Sequence, residues 1–436
     1  MDSRTKKQLR DLALKAKERK DSLYVVGGTV RDQLLGRNFR DIDLVCVDAG
    51  FWAHWFSKHI NSSVVTLHDT PGQEVLRVPI SKNFYCDFCT RQGNSLEEDL
   101  SHRDFTINSL AQTLDSFLDN KRALTDLFNG LQDIDNRIIR LLPSDPIKDD
   151  PLRMLRAFRQ AAVLNLRIAS DTLDEIKEKA YSIYQVSSER ISQELLQFFN
   201  AQRPDIHGFL GTGLLSELMN YAGIVYCEAE HLLDHWNYYQ TCWDDPKNPL
   251  RRYKNYYEDL LKNNSQRAQF GISLLFAHLN FKAANKFLEF YKFSNRQTEN
   301  VVDTVQLCKI IDQYWIDNRN QPSGHLLYQW CSKFEKSFPQ ALLLASISLI
   351  NNPDKSENLK TFSETCFNFY RNQYLPAITA KPLISGNDLQ ETFNLKPSPV
   401  FKTLLEKIRE ARVLGEVKTK EQAESLIPEL LKKESN

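Results

Sequence analysis

A pair of glycines at the end of an apolar strand, followed by an acid pair, constrains this chain more than any other feature. Leu23-Tyr24-Val25-Val26 reads as a buried β-strand that stops at Gly27-Gly28 and feeds a short helix from Val30 to Leu35. Glycines leave no Cβ between backbone and ligand, and the free N–H groups at a helix start favour phosphate oxygens. Downstream, Asp41 and Asp43 alternate with apolar residues in Arg40-Asp41-Ile42-Asp43-Leu44-Val45. A strand period of two turns both carboxylates to one face. Two aligned carboxylates beside a phosphate cradle suit a divalent cation shared between protein and triphosphate oxygens. The chemistry they point to is metal-assisted nucleotidyl transfer.

The organisation of the chain is an α+β fold. Strand-like segments crowd the N-terminal part: Leu23–Val26, Ile42–Val47, Ser63–Leu67, Glu74–Val78 and Phe84–Cys89, with turns such as Asp69-Thr70-Pro71-Gly72 between them. After Pro143 the apolar residues recur at helical spacing almost to the end. The expectation is a head with a small mixed sheet over 1–140, then a helical neck (141–200), body (201–375) and tail (376–436). With 56 basic and 56 acidic residues among 436, any RNA-binding surface must be a local patch. The basic stretch from Arg4 to Lys20 reads as an amphipathic helix rather than a signal peptide, and no later run spans a bilayer, so no membrane is expected and the location expected is cytoplasmic. Eight scattered cysteines, including Cys86-x-x-Cys89 with no second pair, read as reduced thiols rather than a zinc site. His231 and His235, one helical turn apart, read as helix surface or core.

Gly27-Gly28-x-x-Arg31-Asp32 followed by Asp41-x-Asp43 resembles the class II tRNA nucleotidyltransferase and bacterial poly(A) polymerase family of the polymerase β-like nucleotidyltransferases. The resemblance implies Mg²⁺ held by Asp41 and Asp43, with Asp87 on the strand Phe84-Tyr85-Cys86-Asp87-Phe88 as the candidate third catalytic acid. His102-Arg103-Asp104-Phe105-Thr106-Ile107-Asn108 is similar to the family's Arg-Arg-Asp-x-x-Ile-Asn motif, although His102 stands where the first Arg is usual. Arg103, Asp104 and Asn108 join Gly27, Gly28 and Arg31 as nucleotide-binding candidates, with Asp32 in support. Thr125 to Ile134 matches an element set between head and neck.

Asp149-Asp150-Pro151-Leu152-Arg153-Met154-Leu155-Arg156-Ala157-Phe158-Arg159 carries the base-reading candidates. Pro151 looks like a first helical residue with Asp150 as its N-cap. Asp150 and Arg153 would then present an acceptor and a donor fork on one side. Cytosine and adenine both offer an amino donor beside a ring-nitrogen acceptor, whereas uracil and guanine set a carbonyl against the Asp oxygen. A protein template for C and A is what the resemblance implies. Arg156 and Arg159 continue the basic stripe, and Ser188-Glu189-Arg190-Ile191-Ser192-Gln193-Glu194-Leu195 resembles a neck motif in which Glu189 and Arg190 brace the template helix.

The resemblance implies tRNA, CTP and ATP as partners, with tail helices near Leu383–Leu389 and Leu404–Thr419 holding the tRNA. The middle region shows no His-Asp pair with companion histidines, so no phosphohydrolase is expected. The Gly-Arg-Arg-Phe type signature of the poly(A) enzymes is missing from Val64–Asp69, which favours the tRNA enzyme. Only Thr90 to Ser95 stand between the Asp87 strand and Leu96-Glu97-Glu98-Asp99-Leu100, where CCA-adding members carry a flexible loop. That leans towards addition of CC alone, with CCA addition and poly(A) synthesis as alternatives. An RNA-binding protein with an inactive head is a further alternative that the intact acid pair disfavours.

Overall fold

The computed structural model describes residues 1–121, 123–225, 229–349, 357–396 and 398–434. The chain divides into two compact units, Met1–Tyr221 and Ala222–Asn436.

In the first unit, α1 (Ser3–Glu18) leads to β1 (Tyr24–Val26), α2 (Gly28–Leu34), β2 (Asp41–Cys46), α3 (Ala49–Ile60), β3 (Val65–His68), β4 (Val75–Ser81), β5 (Phe84–Thr90) and α4 (Leu96–Ser101). A single 3₁₀ turn, Thr106–Asn108, precedes β6 (Leu110–Thr113), α5 (Leu114–Leu118) and β7 (Thr125–Asp126). The seven strands form one mixed sheet in the order β3-β4-β5-β2-β1-β6-β7. β2 and β5 run parallel while β1 pairs antiparallel with both β2 and β6. Alternation in β2 sends Ile42, Leu44 and Cys46 to the face covered by α3, where Phe56 packs on Phe88 with ring centroids 5.9 Å apart. Asp41, Asp43 and Val45 share the opposite face. The α3 helix is bounded by Asp48, which accepts from Phe51 N at 2.8 Å, and by Asn61 in the left-handed conformation. Two strands with no sequence expectation, β6 and β7, extend the sheet beyond β1.

After the sheet come α6 (Gly130–Asp135), α7 (Pro146–Asp149), α8 (Arg153–Leu164), α9 (Ser170–Lys179) and α10 (Ser188–Asn200). Phe158 of α8 meets Phe198 of α10 and Phe209 in a buried aromatic cluster that packs α8 against α10. One local expectation is corrected here. Asp150 does not cap α8; it is the C-cap of α7 in an extended conformation (φ −150°, ψ 101°), and α8 begins at Arg153 with Leu152 before it. Asp150 has the extended backbone that a residue before proline prefers, and its carboxylate accepts from Leu152 N at 3.2 Å within the Pro151-Leu152 turn that separates it from α8.

The second unit is helical throughout its described residues. The helix Phe338–Ser348 is apolar all round and buried along its length, as a central core helix must be. Farther on, Leu389, Leu404, Ile408, Ala423 and Ile427 close a separate core among the last three helices. His235 is buried and stacks on His278 with ring centroids 4.1 Å apart, and burial pushes its imidazole down to about 3, so it is a neutral core residue. The seven described cysteines are free, and Cys227 lies outside the described residues. Among the described residues no helix is long and apolar enough to cross a membrane.

Asp312 supplies a pH prediction for this unit. Its carboxylate accepts from Ser348 Oγ at 2.8 Å, and burial pushes its pKa up to about 6 from 3.8. A carboxyl whose folded pKa is raised stabilises fully below the unfolded value, and that contribution is lost as pH rises through 6. Asp312→Asn is therefore expected to raise the thermal midpoint at pH 8 and to remove a slope of up to about 1.4 kcal/mol per pH unit between pH 4 and 6. Thermal scans across that range check it.

Candidate active site

The bend at the end of β1 is made by Gly27 at φ +67°, a conformation that favours glycine. A Cβ added there would lie 2.9 Å from Arg103 Nη1 and 3.9 Å from Asp43 Oδ2, so bend, arginine and acid converge on one point. Thr29, the second residue of α2, clasps the acid strand: its Oγ1 donates to Asp41 O at 3.3 Å and accepts from Asp43 N at 3.2 Å. Spacing alone gave no sign of Thr29, although a hydroxyl directly after the glycines is the signal it left.

Asp87 pairs in register with Asp43 across β2 and β5, which sets the three acids on one face. Burial, and then the charges of Asp41 and Asp87, push Asp43 up to about 7; Asp41 is raised by burial and by Asp87. Carboxylates crowded enough to hold their protons are matched to a hard cation, and the donor set is all oxygen. The residues present therefore fit a divalent ion. Asp87 is 5% exposed and both of its oxygens accept from Arg77 of β4, at 2.8 and 2.7 Å. Arg77 is the largest omission of the sequence reading, a lone charge in the apolar run Val75-Leu76-Arg77-Val78.

A second network runs from α2 to α8. Arg31 donates to Asp32 (2.9 Å), to Asn108 Oδ1 (2.7 Å) and to Gln160 Oε1 (3.1 Å). Asn108 donates to Asp104 Oδ1 at 2.8 Å, and Arg156 forks onto Asp104 Oδ2 at 3.0 and 2.7 Å. Burial works against the charge of Asp104, yet Arg156 and Asn108 hold it below the ordinary carboxylate range. Gln160, one turn beyond Arg156 and buried, also went unread; it is the point where helix and glycine arm meet.

Arg103 is held by Asp99 at 3.0 Å. Arg153 donates to three main-chain carbonyls, of His102 (2.7 Å), Pro146 (3.2 Å) and Arg103 (3.3 Å). Arg190 of α10 grips Asp150 at 2.7 and 3.3 Å, while Glu189, in the first turn of the same helix, is exposed. Arg159 is set apart: it donates to Glu194 at 2.5 Å and ties α8 to α10. Asp104, Asp150, Arg153 and Arg156 line a cavity of about 330 Å³ together with Val45, the next residue on the Asp41–Asp43 face of β2. Cys86 and Cys89, three apart on one strand, point to opposite faces and make no metal pair.

The connection from β5 to α4 is pinned. Arg91 donates to Asn94 O at 2.7 Å, Asn94 N to Glu98 at 2.8 Å and Gln92 N to Asp99 at 2.9 Å, around Gly93 at φ +74°.

Residues 23–140 match the Poly A polymerase head domain family, and residues 264–425 match a family described as tRNA nucleotidyltransferase domain 2, putative. The chain is 28% identical over 413 residues to a CC-adding tRNA nucleotidyltransferase of Synechocystis sp., covering 93% of each chain. It is 25% identical over 427 residues to a CCA-adding enzyme of Streptococcus suis, covering 92% of this chain and 90% of the relative. A solved CCA-adding enzyme in complex with CTP has the same fold, with a TM-score of 0.72 at 20% identity over 99% of this chain and 96% of the other. With head, neck motifs and the length of the chain in agreement, this protein belongs to the class II tRNA nucleotidyltransferase and poly(A) polymerase family.

Proposed function

We infer that this chain is a tRNA nucleotidyltransferase of the class that adds CCA nucleotides to the 3′ end of tRNA from CTP and ATP without a nucleic-acid template, its own share within that class being argued below. One observation carries the reading: the cavity lined by Arg103, Asp104, Asp150, Arg153 and Arg156 reaches Val45, two residues beyond Asp43 on the acid face of β2.

Asp41 and Asp43 would hold Mg²⁺, which when bound supplies the charge that favours ionisation of the attacking 3′ hydroxyl and departure of pyrophosphate. Gly27 and Gly28 leave room for the triphosphate, and Arg103 offers it a fixed set of donors. Asp150 and Arg153 read the pairing edge shared by cytosine and adenine, with Arg190 orienting the Asp150 carboxylate. Arg31, Asp104, Asn108 and Arg156 keep the glycine arm and the template helix in register, on the ribose side of the nucleotide. Asp32 steadies Arg31, and Arg159 and Glu189 belong to the α8–α10 brace. Asp87 completes the acid cluster. The working division is a head over 1–140, a neck over 141–200, a body over 201–375 and a tail over 376–436, the tail contacting tRNA by shape and backbone through its dispersed Lys and Arg. A cytoplasmic location follows from that substrate.

Within the class, addition of two cytidines is favoured. The link between β5 and α4 has no slack, and a pocket that must refit for ATP needs a movable loop at that place. The Synechocystis relative, matched over 93% of this chain, bears the CC-adding name. With tRNA ending in CC and ATP as sole nucleotide, no extension is expected, whereas tRNA lacking both cytidines gains two from CTP. Addition of A to the CC end would assign CCA addition instead.

A further inference from the structure

Resting on the reading above, we propose that Arg77 is a positioning residue that serves as a resident counter-cation of the acid cluster, competing with divalent metal for Asp87 and limiting the free enzyme to the ion held by Asp41 and Asp43. The placement is built into the sheet. Arg77 of β4 is in register with Asp87 of β5, and Asp87 with Asp43 of β2, so cation and acids form one row across three strands. The guanidinium engages both oxygens of Asp87, at 2.8 and 2.7 Å, and its Nη2 stands 4.0 Å from Asp41 Oδ2. Its plane is steadied over the Tyr85 ring, 4.8 Å from the centroid, and Tyr85 is in turn the register partner of Asp41.

A guanidinium does not lose its proton, so this charge is permanent. Arg103, held by Asp99, also acts on Asp43, but Arg77 is the cation whose fork engages an acid of the row directly. Once a bound ion displaces their protons, three carboxylates and one guanidinium sum to two negative charges, which one divalent ion neutralises. Remove the guanidinium and a third negative charge faces the ion, with both Asp87 oxygens released as ligands. Remove Asp87 instead and Arg77 is left beside Asp41, repelling the ion. The two residues should therefore act oppositely on metal affinity, and removing both should cancel.

The full chain is titrated with Mn²⁺ in the absence of nucleotide, free ion being read by electron paramagnetic resonance. Arg77→Gln is expected to tighten Mn²⁺ binding by at least about tenfold or to add a second bound ion. Asp87→Asn is expected to weaken it by a similar factor, and Arg77→Gln/Asp87→Asn to return to the wild-type isotherm. Arg77→Lys, which keeps the charge without the fork, should fall between wild type and Arg77→Gln. If Arg77→Gln fails to fold, the comparison of Asp87→Asn with the double variant, which retains no unpaired ion, still decides. Equal or weaker binding by folded Arg77→Gln, or a double variant no tighter than Asp87→Asn, overturns the proposal. Wild-type CTP incorporation is measured in parallel: incorporation with a flat Mn²⁺ comparison sinks only the role of Arg77, whereas neither incorporation nor Mn²⁺ binding by wild type sinks the reading of the site itself.

Discussion

Replacing Asp41 and Asp43 together by asparagine is expected to lower CTP incorporation onto tRNA by roughly 10³-fold or more, because several kcal/mol of charge stabilisation would be lost with the bound ion. Folding should move the other way. Both acids have raised pKa values, with Asp43 at about 7 against an ordinary 3.8, so the metal-free protein binds protons more tightly folded than unfolded. The Asp43 contribution is present below pH 4 and lost as pH rises through 7. At pH 8 the double variant should therefore melt above the metal-free wild type while being almost inactive. Activity and thermal unfolding measured on the same preparations separate a functional loss from a structural one.

The largest loss of stability is expected from Asp104→Ala. Asp104 is 7% exposed and accepts from Arg156, Asn108 and Phe105 N. Removing it leaves the buried Asn108 amide without its acceptor and the half-buried Arg156 guanidinium without its fork. Leaving a buried polar group unsatisfied costs about 1–3 kcal/mol, and Asp104 has several partners to lose. Amide exchange should accelerate in α8 and in the Thr106–Asn108 turn before it changes in α3, which packs on the other face of the sheet. Asp104→Leu combined with Arg156→Met removes both charges and should recover part of the lost stability without recovering activity.

What was legible in the sequence was whatever a local period carries. The acids Asp41 and Asp43 fall on one face because β2 alternates, and the glycine bend announces itself by residue type. Strands β1 to β5 are bounded by turn residues and were readable. β6 was not, because its four residues, which follow the polar motif ending at Asn108, are too few to show a period, and β7 has only two. Asp150 was placed as the N-cap of α8 with Pro151 as its first residue, but Pro151 and Leu152 form a separate turn and regular α8 begins at Arg153. Arg77 and Gln160 stayed hidden for a different reason. Each acquires its role through register or packing between distant segments, β4 against β5 and α8 against α2, which no spacing along the chain encodes. Arg159, at helical spacing from Arg156, was grouped with the cavity arginines, but the turn of α8 carries it round to Glu194.

The most direct test is incorporation of labelled CTP onto a tRNA transcript lacking its 3′-terminal nucleotides, with product length resolved and Mg²⁺ present or chelated. The account predicts two added cytidines that require the metal and disappear in Asp41→Asn/Asp43→Asn. Binding of tRNA with no extension by the wild-type protein in Mg²⁺, or long A tails on unrelated RNA from ATP alone, would contradict it.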